Sequence, residues 1–415
     1  MKTTAIPSFT RYQGFVVAIL AFLQFTIILD FMILSPLGAI LLQDLNITTR
    51  QFGLVVSVYA FSAGASGLMA AGFADRFDRK NMLLFFYAGF LVGTLLCALA
   101  PTYHLLLAAR IITGLFGGVI GSITFAIIAD IFPFSMRGRV MGFVQTAFAG
   151  SQVLGIPLGL FLSNHWGWHM PFVMIFVIGA AVGLIILKVL RPMREHLLVK
   201  SEKSAFGHLR HTLSQPRHWR GFTATIFLTT GGFMLMPFAS AFSVNNLGIT
   251  LHQLPLVYLI TGIFAMAAGP MLGRLSDAVG KIAVFVLGSS LTMVMVLIYC
   301  NLGVTPLWGV IGVNILLFIG ISGRMVSAQA LMSAIPSPQN RGSFMSINAS
   351  VQQVSGGVAS SIAGLIVYQT ASGHMERYPV LGYVVAGSMA VTMALLYGIH
   401  RMLLKSGDEG KPASG

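Results

Sequence analysis

Four ionisable side chains interrupt stretches that are otherwise apolar: Asp30, Arg110, Asp130 and Arg324. A charge at the centre of a bilayer costs at least about 2.5–3.5 kcal/mol on insertion scales, so each needs a partner or a use. Asp30 sits in Ile28-Leu-Asp30-Phe-Met-Ile-Leu-Ser-Pro36, about 24 Å along a helix from Gly14 at the usual rise per residue. Arg110 lies about 10 Å into its own helix from the other end, so the two can share a depth. A carboxylate taken out of water favours its neutral form, and a neighbouring guanidinium restores the anion. An Asp whose Arg partner moves between conformations can therefore load and release a proton. Asp30 and Arg110 are candidates for proton coupling, and Asp30 also for contact with a substrate. The structural alternative is a static pair that ties two helices together.

Arg324, in Gly320-Ile-Ser-Gly-Arg324-Met-Val-Ser-Ala-Gln329, has no carboxylate within helical reach in its own stretch. It needs a partner from another helix, water or an anionic ligand, unless it snorkels to an interface. Uncharged polar residues complete the candidate substrate contacts: Gln24, Gln152, Asn314, Asn348 and Gln352. Phe233 and Tyr59 could supply part of an aromatic, Met-rich wall. Polar groups also serve as glue between helices, at about 0.6 kcal/mol each. Asp130 falls at the end of its stretch, where gating suits it better than substrate contact.

The elements that must hold these residues follow from composition. Of 415 residues, 56% are hydrophobic and 9% charged, with a mean hydropathy of +0.85; a soluble domain carries about 25% charge. Splitting the apolar stretches at charged, Pro and Asn/Gly punctuation predicts twelve spans, near 14–42, 52–73, 81–100, 103–131, 140–163, 169–190, 220–244, 253–274, 282–301, 307–335, 343–369 and 379–403. The fold class is thus an all-α membrane protein of two six-helix bundles, 1–190 and 220–403, joined by a linker over 191–219 and followed by a tail over 404–415. The net charge of +14 would suggest nucleic acid in a soluble chain. Here the basic residues crowd the short connections on one face, with Arg50 and Arg377 as exceptions. That is the positive-inside pattern, and it puts both termini in the cytoplasm. Cys97 and Cys300 both lie in apolar stretches and suit buried free thiols. No phosphate-binding loop, zinc motif or catalytic triad spacing is found, so neither a cofactor, a metal nor an enzymatic activity is expected.

The halves repeat at an offset of about 203 residues. Ala71-Gly-Phe-Ala-Asp75-Arg76-Phe-Asp-Arg79-Lys80 answers Gly273-Arg-Leu-Ser-Asp277-Ala-Val-Gly-Lys281, and Pro133-Phe-Ser-Met-Arg137-Gly138 answers Pro336-Ser-Pro-Gln-Asn-Arg341-Gly342. Duplicated six-span units place a solute site at their interface, near the bilayer midplane.

On these residues the chain resembles the major facilitator superfamily over almost its whole length. Ala71–Lys80 is similar to that family's loop signature Gly-x-Leu-Ala-Asp-Arg-x-Gly-Arg-Lys, with Ala71 and Asp78 in place of the two glycines. Arg110-Ile-Ile-Thr-Gly114-Leu-Phe-Gly-Gly118 looks like the Arg-x-x-x-Gly-x-x-Gly-Gly motif associated with proton coupling. Gly150-Ser-Gln-Val-Leu-Gly155-Ile-Pro157-Leu-Gly159 is similar to the Gly-Pro motif of antiporters, although Ile156 separates its Gly and Pro. The resemblance implies a cytoplasmic gate built from Asp75, Arg76, Arg79, Asp130, Arg137, Asp277 and Arg341, and a cavity lined by the first, fourth, seventh and tenth spans. It implies a monomeric, proton-coupled exporter of small, partly apolar molecules in a bacterial inner membrane, with protons, substrate and lipid as its partners. An uptake symporter for a sugar, nucleoside or organic anion is the nearest alternative, and a non-transporting sensor or passive channel the more distant one.

Overall fold

The computed structural model describes residues 9–73, 77–194, 211–337 and 341–406. The first half holds α1 (Arg11–Ile33, continued by Gly38–Asp44), α2 (Thr49–Phe73), α3 (Arg79–Ala98) and α4 (Tyr103–Ile131). It closes with α5 (Phe134–Gly150, through a π-helical turn Ser151–Gly155, into Ile156–Trp166) and α6 (Met170–Val189). The second half holds α7 (Pro216–Leu235, continued by Ala239–Asn245), α8 (Leu254–Val279), α9 (Lys281–Cys300), α10 (Leu307–Ser333), α11 (Arg341–Ile366) and α12 (Tyr378–Ser406). These are the two six-helix bundles expected from the apolar spans.

Among the described residues, 11 of these helices are long and apolar enough to cross a membrane. The twelfth, α11, carries Asn348, Gln352, Gln353 and a run of serines. One side of it packs along α2 of the other half and α7 of its own, while Val354, Val358, Ile362 and Leu365 face outward. Its polar groups bond to those neighbours. Thr225 Oγ1 donates to Asn348 Oδ1 at 2.7 Å, Ser361 Oγ to Ser57 Oγ at 2.8 Å, and Ser360 Oγ to the Phe233 carbonyl at 3.0 Å.

Prolines account for the main departures from the predicted spans. The stretch 14–42 is not one helix: it breaks between Ile33 and Gly38, because Pro36 has no N–H to continue the ladder. Pro237 breaks α7 in the same way. In α5, Pro157 cannot bond back one turn, and the strain is taken up as the π-helical turn just before it. The predicted end of α11 at 369 is replaced by a hairpin of β1 (Tyr368–Gln369) and β2 (Met375–Glu376). Asn246 pins it through both its amide groups to the Met375 backbone, at 2.8 and 2.9 Å.

The start of α1, beside Arg191, and the end of α12, beside Arg220, lie at one end of the bundle, the base; the two broken helices and the hairpin lie at the other, the apex. Buried apolar side chains fall into three clusters. The largest, around Leu34, Phe52, Phe172, Phe238, Phe242 and Tyr378, draws on both halves and fills the apex. The other two fill the base separately, one around Leu20, Phe90 and Ile127 and one around Phe222, Phe344 and Leu396. Hydrogen bonds between halves follow the same pattern. Thr49 Oγ1 donates to the Val367 carbonyl at 2.6 Å, Ser240 Oγ to the Ser35 carbonyl at 3.0 Å, and Asn164 Nδ2 to the Leu251 carbonyl at 2.8 Å. Close approach there needs glycine, since a Cβ at Gly53 would lie 2.9 Å from the Ser360 carbonyl oxygen. The halves are joined at the apex and hold separate cores at the base.

Candidate functional site

Asp30 and Arg110 meet inside the first half, where both are fully buried. Arg110 Nη1 donates to Asp30 Oδ2 at 2.6 Å and to the Asp30 carbonyl at 3.3 Å. Thr94 Oγ1 donates to the other carboxylate oxygen at 3.2 Å. The guanidinium also lies over the Tyr59 ring, 4.4 Å from its centroid. The glycines of the Arg110–Gly118 motif make that stacking feasible. They face α2, where a Cβ at Gly114 would lie 2.5 Å from the Tyr59 carbonyl oxygen, so α4 and α2 run in contact. Thr94 was not legible as a partner, because one Thr in an apolar span has many possible neighbours.

From Tyr59 a line of rings leads out of the first half. Phe31 packs on Tyr59 with centroids 5.2 Å apart, and Phe233 of the second half packs on Phe31 at 5.8 Å. Phe233 borders a cavity of about 240 Å³ between the halves. Met32 and Pro36 of α1 and Phe148, Gln152 and Ile156 of α5 form one wall. The rest belongs to the second half, including Thr229, Phe233 and Met236 of α7, Tyr258 and Thr261 of α8, Asn314, Phe318 and Arg324 of α10, Gln352 of α11 and Met389 of α12. The apex seal closes its upper end. The π-helical turn of α5 sits against both halves here: a Cβ at Gly155 would meet Leu29, and a Cβ at Gly262 of α8 would lie 3.2 Å from the Gln152 carbonyl oxygen.

Of the residues predicted to contact a substrate, Arg324, Gln152, Asn314, Gln352 and Phe233 line this cavity. Asp30 and Tyr59 do not: they are enclosed within the first half, one held by Arg110 and the other stacked under it. Asn348 is engaged by Thr225 below the cavity, and Gln24 lies half-buried on α1 outside the lining. Arg324 is 3% exposed, and neither its Nε nor its Nη2 has a hydrogen-bond partner among the described residues.

At the base, Arg79 Nε lies 3.3 Å from Asp130 Oδ2, joining α3 to the end of α4. Arg137 donates to the Phe132 carbonyl at 2.9 Å and the Ala129 carbonyl at 2.6 Å, so it caps the C-terminus of α4. Capping of α3 falls to Asp78, which replaces a signature glycine and had not been singled out. Its carboxylate accepts from the Lys80 and Asn81 amides and from Arg194 Nε at 3.0 Å. Burial raises the Asp78 pKa, but the bonds from Arg194 and from the Asn81, Lys80 and Met193 amides outweigh it and hold the carboxyl below its ordinary range. The second copy does not repeat this cap, because Gly280 stands in the place of Asp78 at the start of α9 and the counterpart of Asp75 is Asp277. Asp277 stands exposed within α8, which runs on to Val279 and ends at Gly280 with φ +98. Asp75, Arg76 and the side chain of Arg341 lie outside the described residues.

A model of the Major Facilitator Superfamily matches residues 20–360 and again 221–412. The chain is 26% identical over 392 residues to the MFS-type transporter YceJ of Bacillus subtilis, covering 94% of this chain and 96% of that one. It is 27% identical over 351 residues to the multidrug resistance protein MdtG of Klebsiella pneumoniae, covering 81% and 83%. Among solved structures, a bacterial homologue of the human lysosomal transporter Spinster, in an inward-facing and unoccupied conformation, superposes with a TM-score of 0.72 at 18% identity, covering 98% of this chain and 100% of that one. This chain belongs to the major facilitator superfamily. It is an integral, multi-pass membrane transporter for small molecules and not an enzyme.

Proposed function

We propose that the chain exports small, largely apolar molecules across a bacterial inner membrane in exchange for protons, working as a monomer by alternating access. The observation that carries this reading is the sealed Asp30–Arg110 pair, linked through Tyr59, Phe31 and Phe233 to a mostly apolar cavity. In the conformation described, the apex is closed and Asp30 is out of reach of solvent. Rocking the halves would part the apex contacts and bring the base cores together. A proton reaching Asp30 neutralises the carboxylate and weakens its hold on Arg110, and losing the proton on the other side restores the pair. One proton enters for each molecule that leaves. The base, with Arg79–Asp130 and Asp78–Arg194 nearby, would face the cytoplasm, as the basic connections suggest. Relatives whose names include multidrug resistance and sugar efflux support the outward direction.

The test is transport by purified protein in proteoliposomes with an imposed pH gradient. Wild type should dissipate the gradient when substrate is added, and Asp30→Asn should bind substrate yet lose gradient-driven flux by at least about 100-fold, of the order seen for an essential acid–base group. Full coupling in Asp30→Asn would overturn the proton role.

A further inference from the structure

The cavity carries a positive charge. Among the described residues no Asp or Glu belongs to its lining, and Arg324 is the single Arg or Lys there. The neighbouring Asp30–Arg110 pair is neutral as a unit and lends it no countercharge. A guanidinium this deeply enclosed, with Nε and Nη2 both lacking a protein partner, is costly to maintain. The residue beside Arg324 has no side chain to offer as a partner. The residue that stands before Pro237 as Asp30 stands before Pro36 is Gly231. A Cβ at Gly231 would lie 3.3 Å from Arg324 Nη1. One half sets a carboxylate against its arginine; the other sets bare backbone against its own and leaves the anion position to something that enters the cavity.

We propose that the transported molecules are small amphiphilic anions, with one carboxylate or similar oxyanion on Arg324 and an apolar body against Phe233, Met236, Phe318 and Met389. The planar guanidinium offers the paired N–H groups that such an oxyanion accepts, and the surrounding rings and thioethers accept varied apolar shapes. With no carboxylate among the described lining residues, cationic amphiphiles of equal size are disfavoured. This proposal rests on the transport reading above for the use of the cavity, but not for the direction of transport or the coupling ion.

Three probes sharing one apolar body separate the cases: 1-naphthoate, 1-naphthylmethanol and 1-naphthylmethylammonium. Binding is measured by titration to the full chain in lipid nanodiscs, with empty discs subtracted. Naphthoate should bind at least about tenfold more tightly than either analogue, the ratio a charge-assisted hydrogen bond sustains. Arg324→Gln and Gly231→Asp should each abolish that preference, the second by supplying an internal carboxylate, while Arg324→Lys should keep part of it. If Gly231→Asp does not fold, Arg324→Gln decides alone, with its thermal transition as the check on folding. Equal or tighter binding of the alcohol or the ammonium, no saturable binding of any probe, or an intact naphthoate preference in folded Arg324→Gln would each overturn the proposal. Proteoliposome flux tells the two readings apart. Naphthoate preference without pH-driven flux removes proton coupling and leaves the anion site standing, whereas pH-driven flux of the ammonium removes the anion site alone.

Discussion

Arg110 in the first half and Arg324 in the second are both buried, yet they are treated in opposite ways. Arg110 has a carboxylate at 2.6 Å, a second bond to the Asp30 backbone and a ring beneath it. Arg324 has a glycine beside it and an open cavity in front. The first arrangement is what a stable interior requires of a charge, and the second gives up stability to keep a charge available. The two arginines are not repeat counterparts, since the offset of about 203 residues sets Arg110 opposite Val313 and Asn314; each half has placed its buried cation independently.

That contrast can be broken by substitution, starting where the effect is greatest. Arg110→Met should strand the Asp30 carboxylate and cost about 3–5 kcal/mol, the usual penalty for halving a buried pair, read as a lower unfolding midpoint of the purified protein. Arg324→Met should go the other way and raise the midpoint by an amount equivalent to about 1–3 kcal/mol, since it removes an unsatisfied buried group. If both variants shift stability in the same direction, the two arginines are not different in kind. Tyr59→Leu tests the ring under Arg110 and should cost about 1–2 kcal/mol in the same measurement, with no counterpart effect at Arg324.

The smallest effect lies at the base. Asp78→Ala should cost about 1 kcal/mol at neutral pH, the worth of an N-cap. Because the folded-state pKa of Asp78 is lowered, its contribution is complete above the ordinary carboxylate range and is lost as pH falls through the depressed value. Urea denaturation across acid pH should therefore show wild type and variant converging only at the acid extreme. Convergence already at neutral pH would remove Asp78 from the list of working caps.

Much of this architecture could be read from residue order. Long apolar runs mark the spans, α11 included, and the repeat of Pro133 and Pro336 marks the halves. The pairing of Asp30 with Arg110 followed from depth along the helices, and the family resemblance put Arg79 and Asp130 in one gate. The lining of the cavity did not. In a soluble helix the apolar stripe shows which face is inside, but here lipid and protein interior are both apolar, and rotation about the helix axis leaves little trace in composition. Gln24 and Asn348 look the same in sequence as Gln152 and Gln352, yet only the second two reach the cavity. Pro36 and Pro237 lie inside the predicted spans 14–42 and 220–244, and the breaks they impose show only in the structure.

The uncompensated guanidinium also has an electrical consequence. A charge that crosses the whole membrane field exchanges about 2.3 kcal/mol per 100 mV with the membrane potential. While Asp30 is ionised, the Asp30–Arg110 pair rides through the rocking motion as a dipole. Arg324, when nothing shares its cavity, rides as a bare monovalent charge and couples the empty carrier to voltage over whatever fraction of the field it crosses. An anion seated on it would cancel that coupling, so the loaded and unloaded strokes of the cycle would differ in their voltage dependence, as a capacitive current of the empty protein that its ligand suppresses.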